Sequence, residues 1–193
     1  LVPQRMAYSD NNYFLGALEG KKLEIWNLER GAVRKTLEMA ADINDFCFSK
    51  GSSQLYVLTK DGNLTVYDTK TFDSLYTISD LGQAIACYPN DDGKYVAVVY
   101  NDQHIFIINL LDPNERHQMK EDSGKVSHIR LVRSDYDHQL YMIYNAADAI
   151  VFHRIDGLSP YYNKMMTSML NEQLNQWMKQ QPGESMEDYN LRV

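Results

Sequence analysis

Two cysteines and five prolines are all that these 193 residues hold of either type. No apolar run reaches the roughly 18–20 residues that a bilayer-spanning helix needs, so no membrane span is expected. Cys47 and Cys87 lie 40 positions apart at equivalent places in a repeating pattern, which excludes a disulfide framework. Both read as small, buried, reduced thiols, and they leave the compartment open. Basic residues are the minority, 19 Lys and Arg against 26 Asp and Glu, for a formal net charge of −7. Without a basic stripe, a nucleic-acid partner is not expected. GxSxG, a Walker loop, GxGxxG, CxxC and HExxH are all missing. The five histidines show no ligand spacing either, so no catalytic residue, cofactor or metal is assigned and the chain is not expected to be an enzyme. His128 and His138 flank a loop with Asp135 and Asp137, where His and carboxylates crowd; Asp is a favoured turn residue, and the loop reads as a solvated turn.

Tyrosine is what the chain has in plenty: fourteen, against six Phe and two Trp. Its ring packs while its hydroxyl stays wet, which suits half-buried strands. A second abundance is a repeated pattern of small residue, aromatic, turn, apolar run, turn and apolar–polar ending. The ending reads Ile25-Trp26-Asn27, Val66-Tyr67-Asp68, Ile107-Ile108-Asn109 and Phe152-His153-Arg154, at intervals of 41, 41 and 45 residues. His153 stands where Trp26 stands in the first repeat and reads as a packed aromatic substitute. A fixed period of this length marks a propeller blade, a four-stranded unit that must stack on neighbours to bury its faces. A β-sandwich gives short strands and regular turns but no such self-match.

The predicted fold is therefore all-β, with four blades of four antiparallel strands at about 2–38, 43–78, 83–119 and 126–166. Strands are expected at 2–8, 13–18, 23–28 and 33–38, then 43–49, 54–59, 63–68 and 73–78. They continue at 83–88, 94–100, 104–110 and 115–119, then 126–132, 139–144, 149–155 and 161–166. Asp61-Gly62 reads as a two-residue hairpin turn with both central residues at positive φ. Ala7-Tyr8, Cys47-Phe48 and Cys87-Tyr88 place a small residue on each innermost strand, where sheets approach closely. From Thr167 the period changes to about 3.6, with Met166, Leu170, Leu174, Trp177 and Met178 on one face, so 167–193 is predicted to be a helical tail interrupted at Pro182-Gly183.

Over residues 2–166 the pattern resembles the WD40 family, most closely in Met6-Ala7-Tyr8-Ser9-Asp10 and Leu23-Glu24-Ile25-Trp26-Asn27. No Gly-His pair precedes an inner strand and only the first repeat has Trp in the dipeptide position. The family's buried Asp–His–Ser/Thr–Trp network therefore cannot be assembled here. The resemblance implies that loops joining second to third strands, and outer to next inner strands, share one rim. It nominates Glu19, Lys21, Asp42, Lys60, Asp61, Asp80, Asn101, Asp102, Gln103, Asn145 and Asp148 as partner-binding residues on mildly acidic loops. A protein or peptide suits such loops better than a phosphate ligand.

Four blades are fewer than the family's usual seven or eight. Blades outside this sequence are the favoured expectation, ahead of two copies closing one ring or a compact four-bladed ring. The opening Leu1-Val2-Pro3-Gln4-Arg5, a strand already under way, and a second helix cut short at Val193 support that expectation. Exposed blade edges would also allow self-association. The function expected is a non-catalytic protein-interaction scaffold; the alternative is a recognition or sensing propeller attached to an enzyme domain elsewhere in a longer polypeptide.

Overall fold

The computed structural model describes residues 2–122 and 126–158. Their strands form three four-stranded sheets and one three-stranded sheet, each an antiparallel meander of sequence neighbours. Sheet 1 holds β1 (Arg5–Tyr8), β2 (Phe14–Glu19), β3 (Lys22–Asn27) and β4 (Ala32–Glu38). Sheet 2 holds β5 (Ile43–Phe48), β6 (Gln54–Thr59), β7 (Leu64–Asp68) and β8 (Ser74–Ile78). Sheet 3 holds β9 (Ala84–Pro89), β10 (Tyr95–Tyr100), β11 (His104–Asn109) and β12 (Asp112–Lys120). Sheet 4 holds β13 (Val126–Arg133), β14 (Leu140–Ala146) and β15 (Ala149–Ile155). The sheets pack in chain order, β1 against β5, β5 against β9 and β9 against β13. This is a propeller-like all-β arrangement, and no closed ring is found among the described residues. The expected strand at 161–166 and the helical tail at 167–193 lie outside the described residues. No described helix is long and apolar enough to cross a membrane.

Side-chain alternation in a strand divides each sheet's residues between two interfaces. Every apolar residue of β6 is buried, but Leu55 and Val57 join Phe14, Ile25 and Phe46 between sheets 1 and 2. Tyr56 and Leu58 instead join Val96, Val98 and Ile108 between sheets 2 and 3. A strand covered on both faces shows no polar alternation for that reason. Gly16, in mid-strand, marks the closest approach in the first interface: a Cβ there would run into the Phe46 ring. The outer faces of the series are less covered, with Met6 and Tyr8 exposed on sheet 1 and Ile150 and Phe152 on sheet 4.

Four expectations need correction. Strand β1 begins at Arg5, not 2. Strand β12 begins at Asp112, not 115, because it is the sheet's edge and Pro113 need not donate to a further strand there. Strand β14 runs to Ala146, so Asn145 pairs with Ile150 and Ser127 within the sheet instead of standing in a loop. In the β6–β7 turn only Gly62 has positive φ, at 82°; Asp61 accepts a bond from Thr59 Oγ1 at 2.5 Å and keeps negative φ in a four-residue connection.

Candidate functional site

In a meander, the second-to-third turn and the link to the next sheet fall at the same end of the strands. The described chain ties several of these connections together with backbone bonds. Ile43 N donates to Gly20 O at 2.9 Å, Lys60 N to Asp42 O at 2.8 Å, Leu81 N to Gly62 O at 3.0 Å and Glu121 N to Gln103 O at 3.2 Å. Glu19, Lys21, Asp42, Lys60, Asp61, Asp80, Asn101, Asp102, Gln103 and Asp148 thus stand at one rim, with Asn145 on the strand leading to it. Lys60 Nζ meets Asp42 Oδ2 at 2.9 Å, and this bond to Lys60 holds the Asp42 carboxyl below its ordinary range. Asp102 Oδ2 lies 2.8 Å from His104 Nδ1, and that bond lowers the Asp102 carboxyl in the same way. Both pairs are exposed, where such contacts contribute little stability. Their effect is to order side chains on loops that the backbone already fixes.

The opposite rim carries features that the sequence pattern did not single out. Each first-to-second turn is closed by a polar side chain at the end of its inner strand. Ser9 Oγ accepts from Phe14 N at 2.8 Å, Ser49 Oγ from Gln54 N at 3.0 Å, Asn90 Oδ1 from Tyr95 N at 2.9 Å and Ser134 Oγ from Tyr136 N at 3.2 Å. Recurrence of Ser, Ser, Asn and Ser after the inner strands was the available signal. Neighbouring turns are then joined: Gly51 N donates to Asp10 Oδ2 at 3.1 Å, and Asp91 Oδ2 takes Lys50 Nζ at 2.8 Å and Arg130 Nη2 at 3.1 Å. Burial opposes ionisation of Asp91, but its two cations outweigh it and hold the carboxyl below the ordinary range. A cleft of about 380 Å³ opens on this rim between sheets 1 and 2, lined by Asn11, Tyr13, Arg34, Ser53, Thr69 and Lys70 among others.

The innermost strands hold a third cluster. Asp45, fully buried on β5, forms an ion pair with Arg5 of β1 through Oδ1 and accepts Cys87 N of β9 at 2.9 Å through Oδ2. Three sheets therefore meet at one carboxylate. Burial raises its pKa against the opposing pull of Arg5 and the Cys87 amide. A raised folded-state pKa stabilises the fold at acid pH, a contribution lost as pH rises through the folded value. Arg5 also lies 5.7 Å from the centre of the Phe46 ring, within cation–π range. Cys87 is buried as expected, whereas Cys47 is only half-buried, and both thiols are free.

The His–carboxylate loop near 135–138 is a turn closed by hydrogen bonds. Asp137 accepts from Tyr141 OH at 2.6 Å and from Gln139 N at 3.1 Å. The tyrosine bond, helped by Ser134 and the Gln139 amide, lowers the Asp137 carboxyl to about 2. A depressed carboxyl stabilises the fold above its unfolded pKa, and the contribution is lost as pH falls through the folded value. A carboxyl-carbon NMR titration is expected to find the Asp137 midpoint near pH 2. In Tyr141→Phe the midpoint should move up toward the ordinary ~3.9; an unmoved midpoint would show that the tyrosine does not hold it. His153 is half-buried with its ring centre 6.0 Å from that of His117, so it packs on a histidine of the neighbouring sheet.

Set against known proteins, the chain matches no family model and no curated protein.

Proposed function

We propose that the chain is a segment of a WD40-like propeller that serves as a non-catalytic protein-interaction scaffold. The partner is a protein or peptide with basic residues, received across the rim that carries Glu19, Asp42, Asp61, Asp80, Asp102 and Asp148. The observation that carries this reading is the set of backbone ties that join the turns and links at 20, 42–43, 60–62 and 81 in series, with a separate tie from Gln103 to Glu121, so that loops of this rim are held by the scaffold. Binding residues concentrate on loops held by a rigid scaffold, because little ordering entropy is then lost on association. Carboxylates outnumber the two lysines among the nominated residues, which sets the sign of the partner. The WD40-like reading is supported by four-stranded meanders at a 41-residue interval and by small residues on the inner strands.

Peptides selected against the whole chain from a random library provide the test. They are expected to be basic and to slow amide exchange at 19–21, 60–62 and 101–103. The double reversal Glu19→Lys and Asp61→Lys should weaken their binding about tenfold. Protection confined to 9–13 and 50–53 would move the site to the opposite cleft. Turnover of a generic ester, phosphate or glycoside by the purified chain would replace the scaffold with an enzyme.

A further inference from the structure

Cys47 and Cys87 do more than fill space on neighbouring inner strands. The Cys47 thiol donates to the Cys87 carbonyl oxygen at 3.4 Å, and the two sulfurs lie 3.7 Å apart. They come from different sheets, β5 and β9, so their meeting is a product of the fold. A disulfide requires a separation of about 2.05 Å, leaving a short closing movement. Asp45 Oδ2, also on β5, holds the Cys87 amide and so fixes the second cysteine beside the first. The two thiols differ in access: Cys87 is 1% exposed, Cys47 only half-buried.

We propose that Cys47 and Cys87 form a redox-closable pair, oxidised by small-molecule disulfides to a bond that staples sheet 2 to sheet 3. The Cys47 thiolate attacks one sulfur of the small disulfide, forming a mixed disulfide and expelling one small thiolate. The Cys87 thiolate then attacks the Cys47 sulfur, forming the protein disulfide and expelling the second. Two protein thiols are oxidised, one small disulfide is reduced, and the two protons end on the two released small thiols. Thiolate is the attacking species in both steps. The bond to Cys47, reinforced by burial, pushes the Cys87 thiol well above its ordinary pKa, which makes the second step the slow one. Closing the loop between residues 47 and 87 restricts the unfolded chain and favours the folded one.

Oxidised glutathione and the full chain under native conditions supply the test. The expected product is a monomer that has lost two hydrogens, with residues 47 and 87 in one cross-linked peptide. Its thermal midpoint should rise by about 5–10 °C and return on reduction. In Cys87→Ser the glutathione adduct should persist on Cys47, and in Cys47→Ser the remaining thiol should stay unmodified while the chain is folded. A persistent adduct on Cys47 of the unsubstituted chain, a cross-linked dimer or a lowered midpoint would each overturn the proposal. So would formation of the bond only in denaturant.

Discussion

Replacing Phe46 by Ala is expected to destabilise the chain by about 3–5 kcal/mol, the full cost of truncating a buried aromatic that nothing can replace. The ring is fully buried between sheets 1 and 2 and occupies the space that the missing side chain of Gly16 leaves open. Removing it takes out the shared partner of a cluster that includes Phe14, Ile25, Leu55 and Phe72. Strand backbones on both sides are held by their own ladders, so the void cannot close by local collapse. Arg5 would also lose its aromatic neighbour. Urea unfolding followed by tryptophan fluorescence and by far-UV circular dichroism reads the change. Phe152→Ala, at a ring 70% exposed on sheet 4, is the control and should stay within about 0.5 kcal/mol of the parent. Equal effects at the two positions would show that the first interface does not carry the fold.

Gly62→Ala is expected to cost about 2–5 kcal/mol, from positive-φ strain and overpacking together. Gly62 has φ of 82°, and a Cβ there would lie 2.6 Å from Gly82 N and 2.7 Å from Gly82 O. Those neighbours are backbone atoms, which cannot rotate away as a side chain would. Gly20→Ala separates the two contributions: φ is +57° and nothing lies within 4 Å of the added carbon, so it meets conformational strain alone. Its cost should be about 1 kcal/mol. A Gly62 variant no worse than the Gly20 variant would mean that the rim loops do not press on each other as described.

Strands were legible in the sequence where local pattern decides them. The bounds of β6 and β15 coincide with the expected 54–59 and 149–155, because turn residues stop both strands at each end. The expected 115–119 missed the start of β12 at Asp112: a proline such as Pro113 is compatible with an edge strand, and edges are set by tertiary neighbours. The rim residues were nominated by the family resemblance; a meander's connectivity then puts their turns at one end of the strands, with Asn145 on β14 instead of in a turn. The joining of Arg5 and Cys87 through Asp45 did not emerge, because it depends on which strands lie side by side. A lone Asp within the apolar Ile43–Phe48 segment was the one hint. The cleft beside Arg34 and Lys70 left no trace in the pattern: a void between sheets is a property of packed surfaces, and no single segment encodes it.

Bonds between sheets join residues about one repeat apart: 41 positions for Asn11 to Ser52 and for Lys50 to Asp91, 40 for Asn44 to Ala84 and 42 for Asp45 to Cys87. Among the described residues, these bonds join each sheet to the one before it in the chain. At a synthesis rate of about 5–20 residues per second, a 41-residue unit emerges in roughly 2–8 seconds, after the unit that carries its docking surface. The order in which units leave the ribosome is thus the order in which the sheets contact one another. Contacts of about one repeat's separation close with less entropy loss than contacts across the whole chain would, the property that favours faster folding in all-β topologies.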